Sequence, residues 1–279
     1  MESIESIQIS EGNRTMAITV QTVMERLTAC VETRSPTVDT LKYGDSSMEV
    51  KGIAVSFMPT YRVIEQAVQA GANLLISHEG LFYSHAGDAE TMKNDPVYQE
   101  KVRLICESGI AIYRFHDQWH RYQPDGIMVG LVRALGWESY VSEYQSAATI
   151  VTIPRILARD MVKYVKERLG ISFIRVAGDL STICTRIGLL AGYRGHGSLT
   201  IPLFEKEKLD AIIYGEGPEW ETPEYVRDAV HQGKRKVLVV LGHAESEEPG
   251  MRYLAQKLRE MFPTIPVHFI SEKPLFHFM

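Results

Sequence analysis

This 279-residue chain has no membrane-length apolar run, no disulfide framework and no strong charge of either sign. Without a stretch near the roughly 20 apolar residues of a bilayer-spanning helix, no membrane segment is expected. Its three cysteines, Cys30, Cys106 and Cys184, are widely spaced, odd in number and in no CxxC arrangement. That excludes a disulfide scaffold and points to a reducing cytoplasm. Two of them lie in apolar contexts, where a buried thiol behaves as a small hydrophobe. The formal net charge of -5 gives no general attraction to nucleic acid or anionic membranes. The one basic run, Lys234-Arg235-Lys236, precedes a strand-like segment and reads as a solvated loop. The first fifteen residues are polar and carry Glu2, Glu5 and Glu11, the wrong charge and hydropathy for a signal or transit peptide. They read as an extension before Met16. Short tandem repeats and low-complexity segments are also missing.

What is present is an ordinary globular composition, 45% hydrophobic and 23% charged, long enough for one large domain or two modest ones. Strand-like and helix-like segments alternate. Residues 52–57, 73–78 and 110–115 read as strands, with helices over 60–70, 95–108 and 126–135. A polar loop containing Gly87 and Asp88 follows the second of these strands. Further strands are expected at 149–153, 173–177, 186–191, 211–214, 237–241 and 267–270. Helices are expected at 157–169, 222–231 and 249–261, several stopped by glycine. The expectation is an α/β protein with a parallel or mixed sheet. The segment 139–147 is the seam between an N-terminal half, 16–140, and a C-terminal half, 141–279.

Three of the strand-like runs end in imidazole and carboxylate. Asn73-Leu74-Leu75-Ile76-Ser77 delivers His78 and Glu79. Residues 110–115 lead into His116-Asp117-Gln118-Trp119-His120, and 237–241 into Gly242-His243-Ala244-Glu245-Ser246-Glu247. Ligands bind open α/β sheets at the carboxyl ends of strands, so His78, Glu79, His116, His120, Glu216 and His243 fall where a site would form. Imidazoles and carboxylates together suit borderline divalent metals such as zinc, manganese or iron. One such histidine is more simply structural; the group is harder to dismiss, although His85, His196, His231, His268 and His277 lie outside the pattern. His116 and His120 share a helical face if Asp117 opens a turn. Glu247 has two readings, a metal ligand or a cap for the helix at 249–261. The stretch Gly192-Tyr193-Arg194-Gly195-His196-Gly197-Ser198 reads as a tight turn before it reads as an anion cradle, since it lacks the lysine and spacing of a P-loop.

Ile76-Ser77-His78-Glu79-Gly80-Leu81-Phe82 resembles the "SHHPLF" segment of the NIF-three-like dinuclear metal centre proteins, also known as GTP cyclohydrolase I type 2 homologs. His116-Asp117-Gln118-Trp119-His120 resembles their "HTNLD", Tyr214-Gly215-Glu216 their "TGE" and Gly242-His243-Ala244-Glu245-Ser246-Glu247 their "GHYATE", in the same order and spacing. Two departures are reciprocal: Glu79 stands where the family has histidine, and His120 where it has aspartate. The aspartate usual after the early strand is also absent, with Met58 before Pro59 in its place.

The resemblance implies a two-half α/β fold with a metal cleft. It implies two divalent metal ions (zinc, iron or manganese) held by His78, Glu79, His120, His243 and Glu247, with Glu247 as the bridge. It implies His116 as a group for proton transfer or substrate contact. The activity implied is hydrolysis of a small, nucleotide-like or phosphorylated substrate, in a homo-oligomer such as a toroidal hexamer. A metal-binding regulatory or interaction protein without turnover is the competing class, and an α/β domain without metal the third.

Overall fold

The computed structural model describes residues 17–32, 34–85, 90–272 and 274–276. The N-terminal extension with Met16, the Gly87 and Asp88 positions and His277 lie outside the described residues. In chain order the first elements are α1 (Val20–Thr28), β1 (Leu41–Tyr43), β2 (Ile53–Ser56), α2 (Tyr61–Gln69), β3 (Leu74–Ser77), α3 (Pro96–Ser108), β4 (Ala111–Arg114), α4 (Asp117–Arg121) and α5 (Gly126–Leu135). They are followed by β5 (Val141–Tyr144), β6 (Thr149–Leu157), α6 (Ala158–Leu169), β7 (Arg175–Gly178), β8 (Ile183–Leu190) and α7 (Gly197–Lys206). The chain closes with β9 (Ala211–Tyr214), α8 (Thr222–His231), β10 (Val237–Val240), α9 (His243–Met261) and β11 (Val267–Phe269).

Two mixed sheets form, one ordered β1-β4-β3-β2-β11 and the other β5-β6-β8-β9-β10-β7. In the first, β4, β3, β2 and β11 run parallel, with β1 antiparallel at one edge. In the second, β8, β9 and β10 run parallel and the flanking pairings are antiparallel. The last strand, β11, therefore returns to the first sheet.

Strand periodicity explains the layering, because successive side chains point to opposite faces. Val55, Ile76 and Tyr113 of the first sheet share one central core with Ile187, Ile213 and Val239 of the second. Ile127 and Leu131 of α5, and Met251 and Leu254 of α9, belong to that same core. The alternate residues Ala54, Leu75 and Ile112 face outward onto α2 and α3. Leu190, Ile212 and Leu238 face outward onto α7 and α8. Strands buried on both faces read as continuous apolar runs, which is why they were conspicuous in the sequence. Helices α5 and α9 cross closely: a Cβ on Gly130 would stand 2.4 Å from the Gly250 Cα.

Several expectations shift. The last long helix starts at His243, not at 249, with Gly242 before it at φ +109°. Pro249 sits inside it, where its nitrogen cannot make the usual backbone hydrogen bond. Glu247 thus lies in the second turn, which removes the capping reading. The glycine-rich stretch leads into a helix, α7, that Pro202 and the glycines masked in the sequence. The seam segment carries β5, paired with β6. Of the cysteines only Cys184 is buried; Cys30 and Cys106 are exposed. Among the described residues no helix is long and apolar enough to cross a membrane.

Candidate metal centre

The parallel registers of β2-β3-β4 and β8-β9-β10 bring the carboxyl ends of both sheets to one place. His78 and Glu79 leave β3 there, and His116 follows β4 before α4 carries His120 one turn further. From the second sheet, β10 passes through Leu241 and Gly242 into α9, whose first two turns present His243 and Glu247 on one face.

Glu247 stands at the middle with its side chain only 3% exposed. Its Oε2 is 3.2 Å from His78 Nε2 and 3.2 Å from His243 Nε2, and its Oε1 faces His120 Nε2 at 3.8 Å. Glu79 Oε1 lies 3.5 Å from His243 Nε2 and 3.9 Å from His116 Nε2. Its other oxygen is held by the buried Arg114, Nη2 to Oε2 at 3.1 Å. Potential ligand atoms lie within 4.8 Å of one another in three overlapping groups: His78, His116 and His120; Glu79, His85 and His116; and His78, Glu79 and Glu247. The fold therefore brings together His78, Glu79, His116, His120, His243 and Glu247, with His116 among the donors. It also adds His85, which was set outside the pattern. Its largely exposed ring stands 3.9 Å from Glu79 Oε2 at the rim.

All four central imidazoles are arranged alike. His78 Nδ1 lies 3.4 Å from the Phe115 carbonyl, His116 Nδ1 3.0 Å from Asp117, His120 Nδ1 3.0 Å from Asp125 and His243 Nδ1 2.8 Å from Glu216. A protonated Nδ1 donating to each acceptor leaves Nε2 with its lone pair turned inward, the tautomer a metal requires. Asp117 is itself held by the Thr37 hydroxyl at 2.9 Å and the Val38 amide at 3.2 Å. Asp39 accepts from the amides of His116, Asp117 and Gln118, fixing the start of α4. Sequence reading found Glu216 as a cleft residue. It missed Asp39, Arg114, Asp125 and Arg194, because nothing local in the sequence marks their partners.

The electrostatics follow from burial and from these neighbours. Burial opposes charge on Glu247, but the imidazoles of His78, His243 and His120 outweigh it and hold the carboxyl well below its usual range. Burial also opposes protonation of His243, yet Glu247, Glu216 and Glu79 together raise it to about 9, so in metal-free protein near pH 7 its Nε2 carries a proton that a metal would have to displace. His116 moves the other way: burial, then the charges of His78 and His120, depress it to about 2.

Two atoms at the centre, His78 Nε2 and Glu247 Oε2, are buried without a hydrogen-bond partner. Leaving such groups unpaired is costly, and a cation between them would satisfy both. Two carboxylates and four inward-facing imidazoles fit borderline divalent metals. Gly192 closes one wall: at φ +66°, any Cβ there would stand 2.1 Å from Glu247 Oε1.

Comparison with known proteins agrees with the fold. The chain is 24% identical over 241 residues to the "GTP cyclohydrolase 1 type 2 homolog" of Clostridium perfringens, covering 84% of this chain and 87% of that protein. It is 26% identical over 228 residues to the protein of the same name from Deinococcus radiodurans, covering 80% and 81%. Among solved structures, a Staphylococcus aureus hypothetical protein superposes with a TM-score of 0.75 at 17% identity, over 94% of this chain and all of that one. A Bacillus cereus protein related to NIF3 gives 0.72 at 15% identity, over 93% and 98%. Residues 19–274 match one family throughout. The chain belongs to the Duf34/NIF3 (NGG1p interacting factor 3) family.

Proposed function

We propose that the protein is a metal-dependent hydrolase that holds two divalent ions, zinc, iron or manganese, and acts on a small nucleotide-like or phosphorylated substrate. The observation that carries the metal reading is the orphaned pair His78 Nε2 and Glu247 Oε2, 3.2 Å apart inside a ring of imidazoles and carboxylates. Glu247 is the bridge, since its two oxygens face different histidines. His78, Glu79, His120 and His243 complete the set anticipated from the sequence. A pair of divalent ions in such a site supplies Lewis acidity and activates water near neutral pH.

His116 is better read as a further ligand than as the proton-transfer group. Its Nε2 lies with those of His78 and His120, and its depressed pKa keeps it neutral at pH 7, the form that binds metal. Asp117, Asp125 and Glu216 hold protons on the Nδ1 atoms, while Arg114 leaves Glu79 one free oxygen. The names of the Clostridium and Deinococcus relatives support GTP or a related nucleotide as the first substrate to try. A homo-oligomer, a hexamer by resemblance, and a cytoplasmic location belong to the same proposal; light scattering tests the former.

Elemental analysis of protein purified without a His tag tests the centre, beside a His78→Ala/His243→Ala variant. Stoichiometric metal in the parent and its loss in the variant are expected. No more than a trace in the parent defeats the proposal. His116→Ala should lose metal; retention of metal with loss of turnover would return His116 to proton transfer. Chromatography of GTP incubated with metal-loaded protein separates a hydrolase from a metal-binding protein that turns over nothing.

A further inference from the structure

His120 occupies a position where the family resemblance expects aspartate, and the structure shows a carboxylate directly behind it. Asp125 caps α5: its Oδ1 accepts from the amides of Ile127 at 2.8 Å and Met128 at 3.2 Å. Its Oδ2 is turned the other way, 3.0 Å from His120 Nδ1. Arg194, from the glycine-rich loop after β8, places Nη2 2.9 Å from that same Oδ2 and also 2.9 Å from His120 Nδ1. Asp125 is 7% exposed, so the three groups meet with little access to water.

A guanidinium can only donate and an ionised carboxylate can only accept. The two neighbours therefore make opposite demands on His120. If Nδ1 accepted from Arg194, the ring proton would sit on Nε2, aimed at Glu247, and no lone pair would face a metal. If Nδ1–H donates to Asp125, Nε2 is free to ligate and Arg194 donates to Asp125 instead. We propose that Asp125 is the positioning residue that makes His120 a metal ligand, by setting its tautomer against the opposing pull of Arg194. This rests on the metal reading above. It explains how a histidine can serve in place of a carboxylate here: the carboxylate remains, one step behind the imidazole.

Asp125→Asn is the informative change. Asparagine can keep Oδ1 on the Ile127 and Met128 amides, so the cap survives. The amide nitrogen then replaces Oδ2 and presents a second donor to His120 Nδ1, forcing the proton onto Nε2. Flipping the amide to avoid this would turn its NH2 against two backbone N–H groups. The test uses the full chain with zinc as the probe, titrated against a competing chelator. Asp125→Asn should weaken zinc binding about 10- to 100-fold, the usual effect of removing a partner behind a ligating histidine. In a His120→Asp background, where no tautomer exists, the same change should leave zinc binding as it was. Long-range 1H–15N spectra of metal-free protein should show His120 protonated at Nδ1 in the parent and at Nε2 in Asp125→Asn.

Unchanged zinc affinity and an unchanged tautomer in Asp125→Asn would overturn the inference. So would an equal loss in the His120→Asp background, which would mean that Asp125 acts through the fold. A parent that binds no zinc would instead sink the metal reading. The spectra of metal-free protein would still decide the tautomer.

Discussion

Gly192 offers a perturbation whose magnitude can be worked out against an internal control. Gly192 and Gly170 share the same φ of +66°, but differ in what a Cβ would meet. At Gly170, the C-cap of α6, nothing lies within 4 Å. At Gly192 the new carbon would stand 2.1 Å from Glu247 Oε1 and 3.3 Å from His243 Nε2. Gly170→Ala should therefore cost only the left-handed conformation, about 1–2 kcal/mol. Gly192→Ala adds forced displacement of a buried carboxylate, about 1–3 kcal/mol by analogy with overpacked cores, for a total of about 2–5 kcal/mol. Urea unfolding in chelator measures both costs, and metal analysis follows the centre. Gly170→Ala should keep its metal, and Gly192→Ala should lose it, since the carboxylate proposed as the bridge is the group displaced. Equal destabilisation of the two variants, or Gly192→Ala with full metal, would refute the placement of Glu247 against this loop.

Other expectations follow from the same site. His243, raised to about 9 from 6.5, contributes stability that is complete below pH 6.5 and is lost as pH rises toward 9. His116, depressed to about 2, refuses below pH 6.5 the proton its unfolded form accepts, so stability falls with falling pH there. Lys101, lowered to about 8 by burial, works toward rising stability only above that pH. Metal-free protein should accordingly be most stable near pH 6.5 and lose about 1.4 kcal/mol per unit on either side; a steady rise from about pH 5 to 8 in urea unfolding would contradict these signs. Arg114→Met should destabilise metal-free protein by about 3–5 kcal/mol, because Glu79 loses its buried partner, and added zinc should recover part of that loss; a neutral variant in calorimetry would refute the pairing. Cys30 and Cys106 should react quickly with a thiol reagent in native protein, whereas Cys184, enclosed and raised to about 12, should react only after unfolding. Three fast thiols would show that the Cys184 site opens.

The candidate ligands were legible in the sequence because the strands that deliver them are buried on both faces. Residues 74–76 and Val237–Val240 are unbroken apolar runs, so the polar residues just beyond them stand out. Helix stops were equally visible: Gly109, Gly136 and Gly170 all adopt the left-handed C-cap expected of them. The start of α9 was not, because a rule that favours proline at the first helical position misplaced it by six residues, from His243 to Pro249. Nor could sequence spacing reveal what holds the histidines. Asp39 binds the His116 amide across 77 positions and Arg194 meets His120 across 74. Such pairs depend on the order of strands in the two sheets, which leaves no local trace.

The reciprocal exchange at positions 79 and 120 has a physical cost that the sequence alone conceals. A carboxylate at 79 brings negative charge into a buried site, and burying an unpaired charge is expensive. Arg114, itself only 1% exposed, meets that charge at 3.1 Å and leaves one oxygen of Glu79 for the centre. A histidine at 120 removes a charge but introduces a choice of tautomer, and Asp125 stands within 3.0 Å of the nitrogen that must carry the proton. Each exchanged ligand thus comes with a buried group of opposite demand, cation behind carboxylate and carboxylate behind imidazole. On the proposed metal reading, four residues acting as two pairs keep the number of candidate donors unchanged. Substituting Glu79 or His120 without regard to Arg114 or Asp125 would leave a buried charge or donor without its partner, which is the costlier outcome.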